Sequence, residues 1–107
     1  MRSRYAAYAL GLAEYIIDTT DPDGPAWEGG GDDASRARWL ASIQRFSRTM
    51  TFRALRIVAT TMEGPAAGTV HFRAELSQDG RPGAMEELSR FVHRGGNWRY
   101  TAGEQRR

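Results

Sequence analysis

The 107 residues suffice for one ordinary domain with a modest core, and 40% hydrophobic against 26% charged composition excludes a disordered chain. No apolar run approaches the ~20 residues of a membrane-spanning helix, and the absence of cysteine excludes disulfides, a thiol nucleophile and cysteine-ligated zinc. All fifteen basic residues are arginine, yet thirteen acidic residues leave a net charge of +2, too small for a dedicated nucleic-acid binder.

The chain opens on Arg2, Arg4, Tyr5 and Tyr8, and the periodicity predicts a helix over 3–19. Tyr5, Tyr8, Leu12, Tyr15 and Ile16 recur at spacings of three and four. Ser3 is the expected N-cap, and Gly11 weakens this helix without stopping it. Asp21-Pro22 ends it, because a residue before proline avoids the helical region. No apolar segment of the signal-peptide kind follows the arginines before Glu14, so the expected location is the cytoplasm.

Asp23-Gly24-Pro25 reads as a turn and Gly29-Gly30-Gly31 as a loop holding Trp27 nearby, either as a cap or as a surface contact. A second helix starts near Asp33 or Ser35, either of which can cap it, and ends before Thr51. Trp39, Leu40, Ile43 and Phe46 share one of its faces. Four strands follow, over 52–61, 69–77, 84–94 and 98–101. The second alternates cleanly, with Val70, Phe72, Ala74 and Leu76 on one side and His71, Arg73 and Glu75 on the other. Gln78-Asp79-Gly80 and Gly95-Gly96-Asn97 supply tight turns, and Arg106-Arg107 a loose tail. The order predicts a single α+β domain over 1–107: two N-terminal helices packed on one face of a four-stranded antiparallel sheet.

Met1-Arg2-Ser3-Arg4-Tyr5, Glu14-Tyr15-Ile16-Ile17, Gly68-Thr69-Val70-His71-Phe72, Glu87-Leu88-Ser89-Arg90-Phe91 and Gly96-Asn97-Trp98-Arg99-Tyr100 appear in that order. In order and spacing these motifs resemble the central domain of the YchJ-like family of bacterial proteins. The resemblance implies the strongly curved cone of nuclear-transport-factor-two-like and ketosteroid-isomerase-like proteins, with the first helix lying across the sheet and a pocket between them. It also implies that the opening arginines and tyrosines belong to that helix rather than to a nucleic-acid-binding arm. Members often carry a cysteine-rich SEC-C zinc ribbon. This chain has no cysteine, so no zinc is carried over. The family's Trp-His-Pro reads Thr20-Asp21-Pro22 here, its Tyr-Val-Asp-Gly reads Tyr100-Thr101-Ala102-Gly103, and Leu12 replaces an acidic residue.

Glu87, Ser89 and Phe91 share a strand face, which the resemblance turns towards the first helix. A carboxylate enclosed there and unpaired has the makings of a general base. The competing reading, and the favoured one, pairs Glu87 with Arg4 or Arg2 to fix the helix on the sheet. Arg4, Tyr5, Tyr8, Trp39, Glu87, Ser89, Phe91, Trp98 and Tyr100 are the expected lining of a ligand pocket, although aromatics at such spacings are core first. His71 and His93 make no metal spacing, and no phosphate-binding loop follows the triple glycine. The expected function is non-catalytic binding, with no cofactor and no metal. The occupant is a small apolar or amphipathic ligand in the cone, or a protein partner on the sheet face; homodimerisation through that face is expected. The alternative is an isomerase- or hydrolyase-like enzyme with Glu87 as general base.

Overall fold

The computed structural model describes residues 1–106. Three helices precede the sheet: α1 (Arg2–Leu10), α2 (Ala13–Asp18) and α3 (Asp33–Thr49). The single first helix expected over 3–19 is therefore two, and the expected pair of helices is three. Gly11 is the reason. It takes φ 73° and ψ 25°, a left-handed conformation that only glycine adopts cheaply. Its N–H donates to Tyr8 O (3.2 Å) and the Leu12 N–H donates to Ala7 O (2.8 Å), which closes α1 in a Schellman motif. Ser3 is not the cap. It lies inside the first turn of α1, and its Oγ accepts a bond from the Tyr15 hydroxyl at 2.8 Å, tying α1 to α2. Leu12, the residue after the break, is 51% exposed.

α3 starts where expected, but its N-cap is Asp32, whose carboxylate accepts from the Ser35 N–H at 2.7 Å. Trp39 and Ile43 are buried and Phe46 is half-buried, so the spacing read from sequence does mark the inner face. Arg36 holds Glu14 of α2 at 2.6 Å on the surface, a contact of small energetic weight.

The sheet runs β1 (Thr51–Met62), β2 (Ala67–Gln78), β3 (Arg81–Arg94) and β4 (Asn97–Arg106), antiparallel and in chain order. Asp79-Gly80 and Gly95-Gly96 make the two tight turns with φ of 52°, 77°, 57° and 83°, the left-handed pair that two-residue hairpins require. β4 is longer than expected. Residues 102–106 have no alternating pattern, but β3 supplies a full pairing edge, matching Ser89 with Gly103 and Glu87 with Gln105. Arg106 is thus a strand residue and not a loose tail, while Arg107 lies outside the described residues.

Register shifts between Phe52 and Ala54, between Ile57 and Ala59, and beside Phe91 bend the sheet around the helices. The core has two parts. Ala7, Ala13, Ile16, Ile17, Trp39 and Ile43 pack among the helices. Phe72, Ala74 and Leu76 of β2, the predicted inner face, receive Tyr5 of α1 and Phe46 of α3. Each fully buried aliphatic contributes roughly 1.5–3 kcal/mol.

Candidate functional site

The helices do not fill the concave face of the sheet. A cavity of about 280 Å³ remains between them, lined by Tyr5 and Tyr8 of α1, Trp39 and Phe46 of α3, and Phe72 and Glu87 of the sheet among others. Its aromatic walls are tightly interlocked. Tyr8 and Phe46 meet edge to face at 5.6 Å, as do Tyr5 and Phe52 at 5.6 Å and Phe46 and Phe52 at 5.9 Å.

One end is polar, and a bulge builds it. Ser89 pairs with Gly103, and Phe91 pairs with Tyr100 where strict alternation would place Thr101. The extra residue rolls Tyr100 onto the same face as Gly103, Gln105, Glu87 and Ser89. The Tyr100 hydroxyl then donates to Glu87 Oε2 at 3.1 Å, the fully buried Ser89 hydroxyl donates to the same oxygen at 2.5 Å, and Gln105 Nε2 donates to Oε1 at 3.4 Å. Gly103 leaves the room this needs. A Cβ there would overlap the Tyr100 hydroxyl and stand 2.6 Å from Glu87 Cδ. Burial, then the adjoining Glu87 carboxylate, push the Tyr100 phenol far above its ordinary range. Burial likewise raises the Tyr8 phenol.

Arg4 is buried but does not bridge to Glu87; no ion pair joins them among the described residues. Its Nη1 donates to Ile16 O (3.1 Å), Thr19 Oγ1 (2.6 Å) and Thr20 Oγ1 (3.3 Å), and its guanidinium lies 4.5 Å over the Tyr100 ring. The expected Arg4–Glu87 strut is thus replaced by two separate ties meeting at Tyr100. The physical reason is that the C-terminal end of α2 gathers carbonyl and hydroxyl oxygens at the guanidinium. Burial lowers the affinity of Arg4 for its proton, opposed by Tyr8, Tyr100 and Glu87.

Of the nine residues expected to line a pocket, Arg4, Tyr5, Tyr8, Trp39, Glu87 and Tyr100 do so. Ser89 stands behind Glu87. Phe91 and Trp98 do not reach this cavity. They line a separate groove with Tyr15, Met62 and Val70, and Trp98 is 43% exposed. Trp27 packs edge to face on Trp39 at 4.9 Å and caps the helical core. His71 lies 2.9 Å from Glu86 and His93 lies tilted against Trp98, so neither enters the site. Among the lining residues that sequence reading did not place in a pocket are Glu28, Ser42, Phe52 and Met85. Phe52 carried a signal in its place at the strand start, whereas Glu28 sits in an irregular loop with none.

A family model described as the YchJ middle NTF2-like domain matches residues 1–103. The chain belongs to that family. A UPF0225 protein of Bordetella pertussis is 34% identical over 106 residues, covering 99% of this chain and 69% of that protein. One from Vibrio cholerae is 34% identical over 105 residues, covering 97% and 62%. The solution structure of a SEC-C motif containing protein from Rhodopseudomonas palustris superposes with a TM-score of 0.79 at 30% identity, covering 100% of this chain and 76% of that one. A crystal structure of a SEC-C motif containing protein from Psychrobacter arcticus gives 0.72 at 27% identity, covering 95% and 56%. The cavity is therefore the interior of an NTF2-like α+β domain.

Two positions noted in the sequence take defined places in this NTF2-like chain. At the Trp-His-Pro position, Thr20 is buried and its hydroxyl donates to Ile16 O at 2.7 Å. Asp21 is 2% exposed, donates its N–H to Tyr100 O, and accepts from Arg94 Nη1 at 2.9 Å. The position seams the loop after α2 to β4, directly beside the polar end of the cavity. At the acidic position Ala102 pairs across to Arg90.

Proposed function

We propose that this domain is a non-catalytic binding module that takes a small apolar or amphipathic molecule in the cavity. The observation that carries the reading is the unfilled space of about 280 Å³ walled by aromatic and aliphatic side chains and ended by one group of convergent polar atoms. The bonding of Glu87 supports binding over base catalysis. Its carboxylate accepts from Ser89, Tyr100 and Gln105, which holds it as a fixed acceptor at the end of the cavity, with Oε1 only lightly used. The placement of the domain in the cytoplasm is part of the same reading. No helix of the described residues is long and apolar enough to cross a membrane.

Ala74, 3% exposed, lines the cavity from β2. Ala74→Phe fills the space from a rigid strand. Isothermal titration with 2-phenylethanol, a neutral probe, is expected to show saturable binding to the native chain and loss of at least about tenfold in affinity in the variant. Binding unchanged by Ala74→Phe would place the ligand elsewhere and sink the reading.

The outer face of the sheet is the second element of the proposal: it joins two copies. That face is laced by charges, with His71 at 2.9 Å and Arg73 at 4.0 Å from Glu86, and Arg90 between Glu63 and Glu104. A self-complementary pairing of such a surface is polar and salt-sensitive.

A further inference from the structure

The cavity can be read for the charge of what it holds, and this inference rests on the binding role proposed above. Three charged side chains line it, the carboxylates of Glu28 and Glu87 and the guanidinium of Arg4, and Met1, with its terminal ammonium, lines it as well. Arg4 is committed to the protein, through Nη1 to Ile16, Thr19 and Thr20 and through its flat face to Tyr100. The two oxygens of Glu87 are unequally used. Oε2 takes the Ser89 and Tyr100 hydroxyls, while Oε1 takes one long bond of 3.4 Å from Gln105. An ionised carboxylate has room for about four donors, so acceptor capacity remains at the polar end. Glu28 lines both this cavity and a second one of about 390 Å³, which Arg4 and Tyr100 also line, so its carboxylate is shared by the two. The walls are aromatic faces, which attract a cation and are indifferent or repulsive to an anion.

We propose that the cavity selects an amphiphilic amine. Its body, alkyl or aryl and about nine non-hydrogen atoms by comparison with the ~30 Å³ share of a water molecule, fills the space under Tyr5, Phe46 and Phe72. Its ammonium donates to Glu87 Oε1 and lies against the Tyr8 ring, with Glu28 adding to the attraction. A carboxylate or phosphate head meets two carboxylates and no uncommitted cationic side chain.

Three probes of one shape test this: 4-phenylbutylamine, 4-phenylbutanol and 4-phenylbutanoate, titrated calorimetrically against the chain at pH 7. The expected order is amine, alcohol, acid, with roughly tenfold between successive members. Glu87→Gln keeps the side-chain shape and is expected to bring the amine to the level of the alcohol. Glu28→Gln, on an exposed loop and harmless to folding, is expected to cost the amine severalfold and the alcohol nothing. Acid binding as tight as amine, or an order unmoved by both variants, overturns the amine assignment while leaving the binding role standing. Equal binding of all three does the same. Failure of all three to bind the native chain overturns the binding role itself.

Discussion

Tyr100 is the residue on which the polar end turns. Its hydroxyl serves Glu87, its ring carries Arg4, and its backbone bonds the loop after α2 through Asp21 N and Thr19 O. Removing the hydroxyl with Tyr100→Phe leaves Glu87 one donor short, at a cost of about 1–3 kcal/mol in urea unfolding at neutral pH. The pH dependence has a definite sign. The Tyr100 phenol is raised from its ordinary value of 10.0, so the folded chain keeps a proton that the unfolded chain loses. The associated stability is fully present below that value and falls as pH climbs above it. Unfolding curves are expected to show the decline above about pH 10, and Tyr100→Phe to make it shallower. A slope identical in the two proteins would remove Tyr100 from the account. Tyr100 and Glu87 were expected from the sequence to line a pocket, and both line the cavity. Gly103 was not, because a glycine in a strand signals close approach without saying of what.

At the scale of elements, the break at Gly11 and the bulge in β4 decide where side chains point. A Cβ added at Gly11 would meet nothing within 4 Å, so the requirement for glycine there is conformational alone. Gly11→Ala is expected to cost about 1–2 kcal/mol, the penalty of a left-handed alanine, with the urea midpoint lowered and the slope unchanged. No loss would show that α1 and α2 can be rejoined through the position, as simple periodicity expects. Tyr5, Tyr8, Tyr15 and Ile16 continue one apolar stripe across the break, which is why the sequence reads as one helix. The β4 bulge is equally silent. Residues 98–101 read as an ordinary short strand by themselves, and only the pairing with β3 shows that a residue is inserted there.

For the whole molecule, the helices and sheet leave a space beside the two-part core, and the remaining sheet face carries interleaved charges. A homodimer formed through that face is expected to dissociate as salt rises, since its exposed pairs are screened within about 10 Å at 0.1 M. Sedimentation velocity at low and high salt, about 0.05 and 0.5 M, checks this. A dimer indifferent to salt would put the interface on another surface, and a monomer at both concentrations would dismiss the dimer. The expected class, helices first and then a four-stranded antiparallel meander, follows from the sequence and holds in the structure, with three helices in place of two.

What the amino-acid order determined by itself was local: the α3 face of Trp39, Ile43 and Phe46, the alternation of β2, the two glycine turns, and the motif order that marks the family. These depend on periodicity and backbone preference, which are written in neighbouring residues. Tertiary structure alone decided which partner each polar group took. Arg4 chose the end of α2 over Glu87, Tyr100 reached the inner face by a bulge, and Phe91 and Trp98 fell on the far side of the site. Such choices compare acceptors distant in sequence and turn on small differences in packing distance, a quantity no local pattern carries.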